Sequence, residues 1–127
     1  MTKAISALGL LLIGVLCACD FMSHTRCDDK ILSQEKSPDG KYMAILYHRS
    51  CANQTGLYTC VSLQETAGSS LSTGETQPVL TIRGFYEISG VWIGPNHLEI
   101  RSEGLQNQKA VLSQESSWKT VSISYKK

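Results

Sequence analysis

Hydrophobic and polar residues alternate in short stretches along most of this chain, and no stretch carries a sustained helical period. This pattern predicts strands at residues 31–36, 41–49, 57–63, 79–83, 91–93, 97–101, 109–112 and 118–125. The second stretch is apolar on both faces, which is typical of a central strand covered on each side. We therefore expect an all-β fold, a small antiparallel meander or sandwich of about 6–8 short strands.

Turn residues separate these stretches. In Ser37-Pro38-Asp39-Gly40 the proline fixes φ, the aspartate can bond back to nearby amides and the glycine accepts a positive φ, so a hairpin is predicted here. Gly94-Pro95-Asn96 predicts a second hairpin. Residues 64–77 are rich in Ser, Thr and Gly, and this composition indicates a mobile surface loop.

The longest apolar run lies near the amino terminus. Lys3 precedes an apolar stretch at residues 4–16, and the small residue Ala18 precedes Cys19, which gives the three parts of a secretory signal. The run is shorter than the about 20 residues that a membrane-spanning helix needs. Its ending, Leu16-Cys17-Ala18-Cys19, resembles a bacterial lipobox. We predict a lipoprotein signal helix at residues 1–18, a polar tether at 19–29 and one β domain at 30–127.

Lipidation at Cys19 would fix the location of the domain. Two or three fatty acyl chains, such as palmitate, make attachment to a bilayer effectively permanent. Asp20 resembles the sorting residue that keeps a lipoprotein in the inner membrane of a Gram-negative envelope. The expected location is therefore the cell envelope, anchored in the inner membrane and facing the periplasm. The alternatives are a soluble secreted protein, in which Cys19 is an ordinary cysteine, and an uncleaved anchor.

The charge balance narrows the range of partners. The chain has 12 Lys and Arg against 11 Asp and Glu, for a formal net charge of +1. This near balance argues against binding to nucleic acid and against a polybasic contact with anionic lipid. The expected partners are the bilayer, through acylated Cys19, and an envelope protein that the sequence does not identify.

Three cysteines remain beyond the lipidation motif, in a compartment where disulfides persist. Cys27 and Cys51 each lie 12 residues from Asp39, so the first hairpin places them opposite each other. Cys51 and Cys60 are likewise symmetric about residues 54–57. A bridge that closes the longer loop restricts the unfolded chain more and stabilises the fold by about 3 kcal/mol, which favours a Cys27–Cys51 bridge and leaves Cys51–Cys60 as the alternative.

Catalytic patterns are weak, and we predict that the chain is not an enzyme. Ser33 and Lys36 have the Ser-x-x-Lys spacing of penicillin-binding enzymes, but they precede a turn on a strand and do not begin a helix. Glu87, Glu99 and Glu103 could form an acid and base pair, although solvated strand edges commonly carry such residues. The sequence has no Gly-x-Ser-x-Gly elbow and no glycine-rich phosphate loop.

We also predict that the chain holds no metal and no cofactor. His24, His48 and His97 are scattered along the sequence. Neither a Cys-x-x-Cys pair nor a paired histidine spacing is present, so a structural disulfide is the favoured use of the cysteines.

Aromatic side chains are the remaining candidates for recognition, because Tyr and Trp give a large contact area at low entropy cost. A core of this size uses most of them itself. The candidates are Tyr42, Tyr47, Tyr58, Phe85, Tyr86, Trp92, Trp118 and Tyr125. An exposed patch is expected first at the corner formed by Gly84, Phe85 and Tyr86.

A run of motifs begins at Cys27 and continues with Ser37-Pro38-Asp39-Gly40-Lys41-Tyr42, Arg49-x-Cys51, Val61-Ser62-Leu63 and Val91-Trp92-Ile93. This run resembles a group of small bacterial lipoproteins. The resemblance covers about two-thirds of the chain after the signal. It implies a compact β domain with Cys27 bridged to Cys51, and it implies no particular activity. The chain departs from the group at Ala52, where a glycine is usual, and at Cys60, which has no regular counterpart.

These patterns favour a membrane-anchored envelope lipoprotein that acts as a non-enzymatic protein-binding or accessory module. A hydrophobic surface patch beside residues 50–56 would support this function. The alternative is an immunity or inhibitor lipoprotein that blocks a periplasmic toxin or a cell-wall hydrolase. A small enzyme or ligand carrier is a third hypothesis, and it needs a concave pocket with converging polar groups.

Overall fold

The computed structural model of the protein describes residues 27–52, 56–67 and 77–127. Within these ranges the chain forms strands and one short 3-10 helix. The strands are β1 (Cys27–Lys36), β2 (Tyr42–Cys51), β3 (Gly56–Glu65), β4 (Leu80–Arg83), β5 (Ile88–Gly94), β6 (His97–Ser102), β7 (Val111–Gln114), β8 (Ser117–Trp118) and β9 (Val121–Lys126). The 3-10 helix, Glu103–Gln106, links β6 to β7. The predicted all-β class is confirmed.

The first sheet has five antiparallel strands in the order β1-β2-β3-β4-β7. Strand β2 lies inside this sheet, and the residues from Ala44 to Tyr47 are buried on both of its faces. The central position that its apolar pattern predicted is therefore confirmed. Strands β1 to β4 form a meander, since each pairs with the next along the chain.

The second sheet has the order β5-β6-β9-β8, and its β6–β9 pair is parallel. The other described strand pairs are antiparallel as predicted, and the β6–β9 pair departs from that arrangement. After β6 the chain crosses to the first sheet to form β7 before it returns to the second sheet as β8 and β9. A parallel pair needs such a crossover connection, whereas an antiparallel pair can be joined by a tight turn.

The hydrophobic core lies between the two sheets, which makes the domain a sandwich. Strands β2 and β3 contribute alternate residues from the first sheet, and β6 and β9 contribute alternate residues from the second. The buried members of this core are Ala44, Leu46, Val61, Leu63, Val79, Leu80, Ile82, Leu98, Ile100, Leu105, Ala110, Val121 and Ile123. Trp92 and Trp118 pack against its margin.

The first hairpin turn forms as the sequence predicts. One carboxylate oxygen of Asp39 accepts hydrogen bonds from the Ser37 hydroxyl and the Lys41 amide. The Gly40 amide donates to the Ser37 carbonyl oxygen, and Gly40 has a φ of 76°, which favours glycine. These hydrogen bonds to the charged form lower the pKa of Asp39.

Several strand bounds differ from the sequence prediction, and two of the differences concern the tether and the last predicted strand. Strand β1 begins at Cys27, so the last three residues of the predicted tether are in the sheet. The stretch at 118–125, predicted as one strand, is interrupted by a turn at Lys119 and Thr120, where Lys119 has a φ of 51°. The turn allows β8 to pair back onto β9, which the alternation of residues alone does not show.

Several predictions fall outside the described residues and stay predictions. They concern the signal helix at 1–18, the acylation site Cys19, the sorting residue Asp20 and most of the tether. Residues 53–55, and residues 68–76 of the loop predicted at 64–77, also lie outside the described residues. Gln64 and Glu65, which the sequence places in that loop, belong to β3. No helix within the described part of the chain is long and apolar enough to cross a membrane.

Candidate binding surfaces

The sandwich has two ends, which differ in their connection to the amino-terminal segment. The tether end is defined by Cys27, Cys51 and Gly56, which lie side by side on β1, β2 and β3. The far end carries the 37–40, 94–97 and 119–120 turns. The Trp92 indole nitrogen donates to the Glu35 carbonyl oxygen near the far end and so joins the two sheets there.

A disulfide closes the tether end. Cys27 and Cys51 are paired directly across β1 and β2, with a Cα–Cα distance of 4.0 Å, and they are bridged. Next to them Arg49 donates two hydrogen bonds to the Asp29 carboxylate, at 2.7 and 2.9 Å. This half-buried ion pair raises the pKa of Arg49. The disulfide and the ion pair therefore hold the first residues of β1 in the sheet.

Cys60 is a buried free cysteine, so the alternative Cys51–Cys60 bridge is wrong. The register of β2 and β3 pairs Cys51 with Gly56 and pairs Cys60 with Tyr47. The connection between these strands is thus centred closer to Cys51 than the sequence symmetry suggested. Burial raises the pKa of the Cys60 thiol, which makes it a poor nucleophile.

The corner between β4 and β5 is fixed to β3. The Gly84 amide donates to the Leu57 carbonyl oxygen at 2.6 Å, and Gly84 has a φ of 107°, a region that favours glycine. The buried Thr59 hydroxyl donates to the Gly84 carbonyl oxygen and accepts from the Tyr86 amide. One β3 side chain therefore satisfies two backbone groups of the corner.

Phe85 is the exposed aromatic residue that the sequence placed at this corner. Its ring stacks on His48 with a centroid distance of 4.1 Å and an interplanar angle of 4°. The His48 Nε2–H donates to the Tyr86 carbonyl oxygen at 3.1 Å, which fixes the imidazole beneath the ring. Phe85 is 49% exposed, as expected at this corner, and Leu57, which follows Gly56 on β3, is 48% exposed. Two exposed apolar residues therefore lie near residues 50–56, where a hydrophobic patch would support protein binding.

A cleft of about 660 Å³ opens between the sheets near the tether end. Its apolar lining comes from Leu32, Phe85 and Ile88, and its polar lining includes His48, Arg101, Ser102 and Lys127. The Ser102 hydroxyl donates to the Glu87 carbonyl oxygen and accepts from the Gly104 amide. Since His48 also binds a carbonyl, the imidazole and the hydroxyl that face the cleft both serve backbone groups.

The three candidate carboxylates are not brought together. Glu87 and Glu103 line the cleft, whereas Glu99 lies on the outer face of the second sheet. Ser33 and Lys36 lie on β1, so the Ser-x-x-Lys spacing does not stand at a helix start. His97 contacts Ser124 on the outer face of the second sheet, and His24 lies outside the described residues. Across residues 27–52, 56–67 and 77–127, no three His, Cys, Asp or Glu side chains cluster to hold a metal ion.

The outer face of the second sheet carries an apolar strip and a charged group side by side. Val91 and Ile93 on the edge strand β5 are 49% and 58% exposed. Glu99 lies directly opposite Val91 and binds Arg101 at 2.8 Å and Lys126 at 3.4 Å. The hydrogen bonds from Arg101, followed by those from Lys126, lower the pKa of Glu99. This surface could not be predicted from the sequence, because the stretch at 91–93 is apolar at every position.

Most of the other candidate aromatic residues serve the interior. Tyr86, Trp92 and Tyr125 pack against the core, and Tyr47 is fully buried.

Compared with protein-family models, curated proteins and solved structures, the chain matches none of them.

Proposed function

We propose that the chain is a lipid-anchored envelope protein whose sandwich binds another protein through the outer face of the second sheet and has no enzymatic activity of its own. The support for the anchor is the lipobox-like ending at Cys19. The support for protein binding is the exposed pair Val91 and Ile93. The resemblance to small bacterial lipoproteins agrees with this proposal.

The apolar strip has the composition of an interface centre. Large apolar side chains in contiguous exposed positions commonly mark an interaction site, since water leaves them when a partner binds. The two residues lie on edge strand β5, which has a hydrogen-bonded neighbour, β6, on only one side among the described strands. Single exposed apolar residues need no explanation, but this pair adjoins a charged group that can act as a rim.

The charged group formed by Glu99, Arg101 and Lys126 indicates which chemical groups the partner should carry. Glu99 is almost buried under Arg101 and Lys126, whose own side chains remain 55% and 60% exposed. One carboxylate facing two cations leaves positive charge at the margin of the apolar strip. The partner expected here carries an apolar surface bordered by carboxylates, because complementary charge favours encounter and fixes orientation.

Two polar side chains of the cleft, His48 and Ser102, bind backbone groups, which supports a structural role for them and not a catalytic one. The Nε2 of His48 is bound to a backbone carbonyl and one face of its ring is covered by Phe85. The Ser102 hydroxyl is bonded at both its hydrogen and its oxygen.

The anchor is tested by feeding cells a palmitate analogue that carries an alkyne and by isolating the protein from membranes. We expect the label on the wild type and none on Cys19→Ser, which should be released from the membrane. Equal labelling of both proteins, or a mature wild type without acyl groups, would contradict the anchor.

The binding face is tested by cross-linking and affinity capture of the lipidated protein from membranes. We expect one set of partners with the wild type and with Leu112→Ser, a matched variant at an exposed position of β7. The Val91→Ser/Ile93→Ser variant should lose them. Identical recovery with all three proteins would contradict the proposed face. A recovered toxin or wall hydrolase that loses activity on binding would instead support the immunity or inhibitor function.

A further inference from the structure

We propose that the tether end of the sandwich rests on the bilayer, with Leu57 and Phe85 in the interfacial region. This proposal depends on lipid anchoring at Cys19. It concerns a different surface from Val91 and Ile93, which lie toward the other end of the molecule. The protein would then present its second-sheet face away from the membrane contact.

The length of the tether limits where the bilayer can be. Eight Cα–Cα steps separate Cys19 from Cys27, so the two residues can be at most about 28 Å apart. Strand β1 carries the chain a further about 33 Å from Cys27 to the far end. The anchor therefore limits how far the tether end can be from the membrane, whereas the far end can lie a further about 33 Å away.

Exposed apolar residues lie at and near this end. The hydrogen bond from the Gly84 amide to the Leu57 carbonyl joins the backbone next to Phe85 to β3 at Leu57. Leu32, farther along β1 and also exposed, lines the same cleft as Phe85. Apolar and aromatic side chains of this kind enter the boundary between headgroups and acyl chains in interfacial proteins.

Backbone polar groups at this corner already have hydrogen-bond partners within the protein, which lowers the cost of moving them into a less polar medium. The Gly84 amide binds Leu57, and the Gly84 carbonyl and Tyr86 amide both bind the Thr59 hydroxyl. The Tyr86 carbonyl accepts from His48. Unsatisfied backbone groups are what makes entry into a bilayer costly. Four groups of the exposed corner have internal partners, so this cost is small for them.

Charge makes a smaller contribution to the contact. Exposed Lys30, Arg83 and Lys127 lie near this end, and Asp28, Glu87 and Glu103 are also exposed there. The long basic side chains can reach headgroups while the apolar residues enter the interface. Since the two signs are nearly balanced, we expect the contact to persist at high salt and in membranes of low anionic content.

The test uses the full lipidated protein in nanodiscs of phosphatidylethanolamine and phosphatidylglycerol that contain a gadolinium-chelating lipid. Paramagnetic broadening of amide resonances reports the distance of each residue from the membrane surface. We expect several-fold greater broadening at Leu57 and Phe85 than at Gly40 and Asn96, which lie in far-end turns. Equal broadening at both ends, or greater broadening at the far end, would overturn the proposal.

Matched variants separate insertion from simple proximity. Leu57→Ser/Phe85→Ser should reduce the broadening at Tyr86 several-fold, whereas Ile93→Ser, at a comparably exposed position, should leave it unchanged. If the double variant does not fold, the wild-type comparison of the two ends still decides the outcome. Acylated protein with no preferred end would overturn this proposal alone, while protein that lacks acyl groups would overturn the anchor as well.

Discussion

The side-chain hydroxyl of Thr59 accepts a hydrogen bond from the Tyr86 amide at 2.9 Å, across 27 positions of sequence. The same hydroxyl donates to the Gly84 carbonyl oxygen at 2.7 Å. Thr59 is fully buried on β3, whereas Phe85 between the two corner residues is exposed. One buried hydroxyl therefore holds the connection between the two sheets and presents the aromatic side chain to the surface.

Removal of this hydroxyl should destabilise the protein. Thr59→Val keeps the shape of the side chain but leaves a backbone amide and a carbonyl without their partner, at a cost of about 2 kcal/mol. Urea unfolding measures the loss. Thr59→Ser retains the hydroxyl and should lose less, so an equal effect of the two substitutions would show that packing, and not hydrogen bonding, holds the corner.

The disulfide should make a large contribution to stability. Cys27 and Cys51 are separated by 24 positions, and loss of a cross-link of this size costs about 3 kcal/mol in the chain-entropy account. We expect the Cys27→Ser/Cys51→Ser variant to have a lower free energy of unfolding and to be insensitive to reductant. Cys60→Ala should keep the response to reductant. Loss of that response in Cys60→Ala would contradict the pairing.

Acid should weaken the ion pairs of Glu99. Its pKa lies below the ordinary value of 4.5, chiefly because Arg101 binds the ionised form. The stabilising contribution is present above pH 4.5 and is lost as the pH falls through the lower pKa of the folded state.

The free energy of unfolding of Glu99→Gln should therefore differ from that of the wild type most at neutral pH, and the difference should shrink on acidification. When Arg101→Met is added to both proteins, the pH-dependent part of the difference between them should be smaller, because Arg101 is the main hydrogen-bond donor to Glu99. A constant difference between wild type and Glu99→Gln across the acid range would be the contrary result.

Ionisation of the buried Tyr47 should make the stability of the protein depend on pH in the alkaline range. Burial raises its pKa from 10.0 to about 12, and its hydroxyl contacts Ser62 at 2.9 Å. The unfolded chain ionises first, so stability falls as the pH rises from 10.0 toward about 12. Tyr47→Phe should lose less stability over this range and should lack one late phenolate transition in the ultraviolet spectrum. An unchanged spectrum would contradict the assignment.

The alternation of apolar and polar residues predicted the strands well where turn residues stand at their ends. The β1–β2 hairpin follows from its proline, aspartate and glycine, and the burial of β2 follows from its unbroken apolar run. The end of β8 did not follow in the same way. Lys119 adopts a positive φ without being Gly, Asn or Asp, so no residue type marked that turn.

The exposed surfaces were only partly predictable. The corner at Gly84 and Phe85 has a recognisable turn residue next to an aromatic one, and the expected exposure of Phe85 is confirmed. Val91 and Ile93 have the same residue types as core positions. Their exposure depends on β5 being an edge strand with an uncovered face, and neither property can be read from neighbouring residues.

The sequence by itself determined the strands, the main hairpin turn and the preference for a Cys27–Cys51 bridge, because each depends on contacts between residues close along the chain or symmetric about one turn. Only the tertiary structure decided the parallel pairing of β9 with β6, the burial of Cys60 and the face on which Val91 lies. These features depend on strand order and register across two sheets, which are set by how all the apolar faces are buried together.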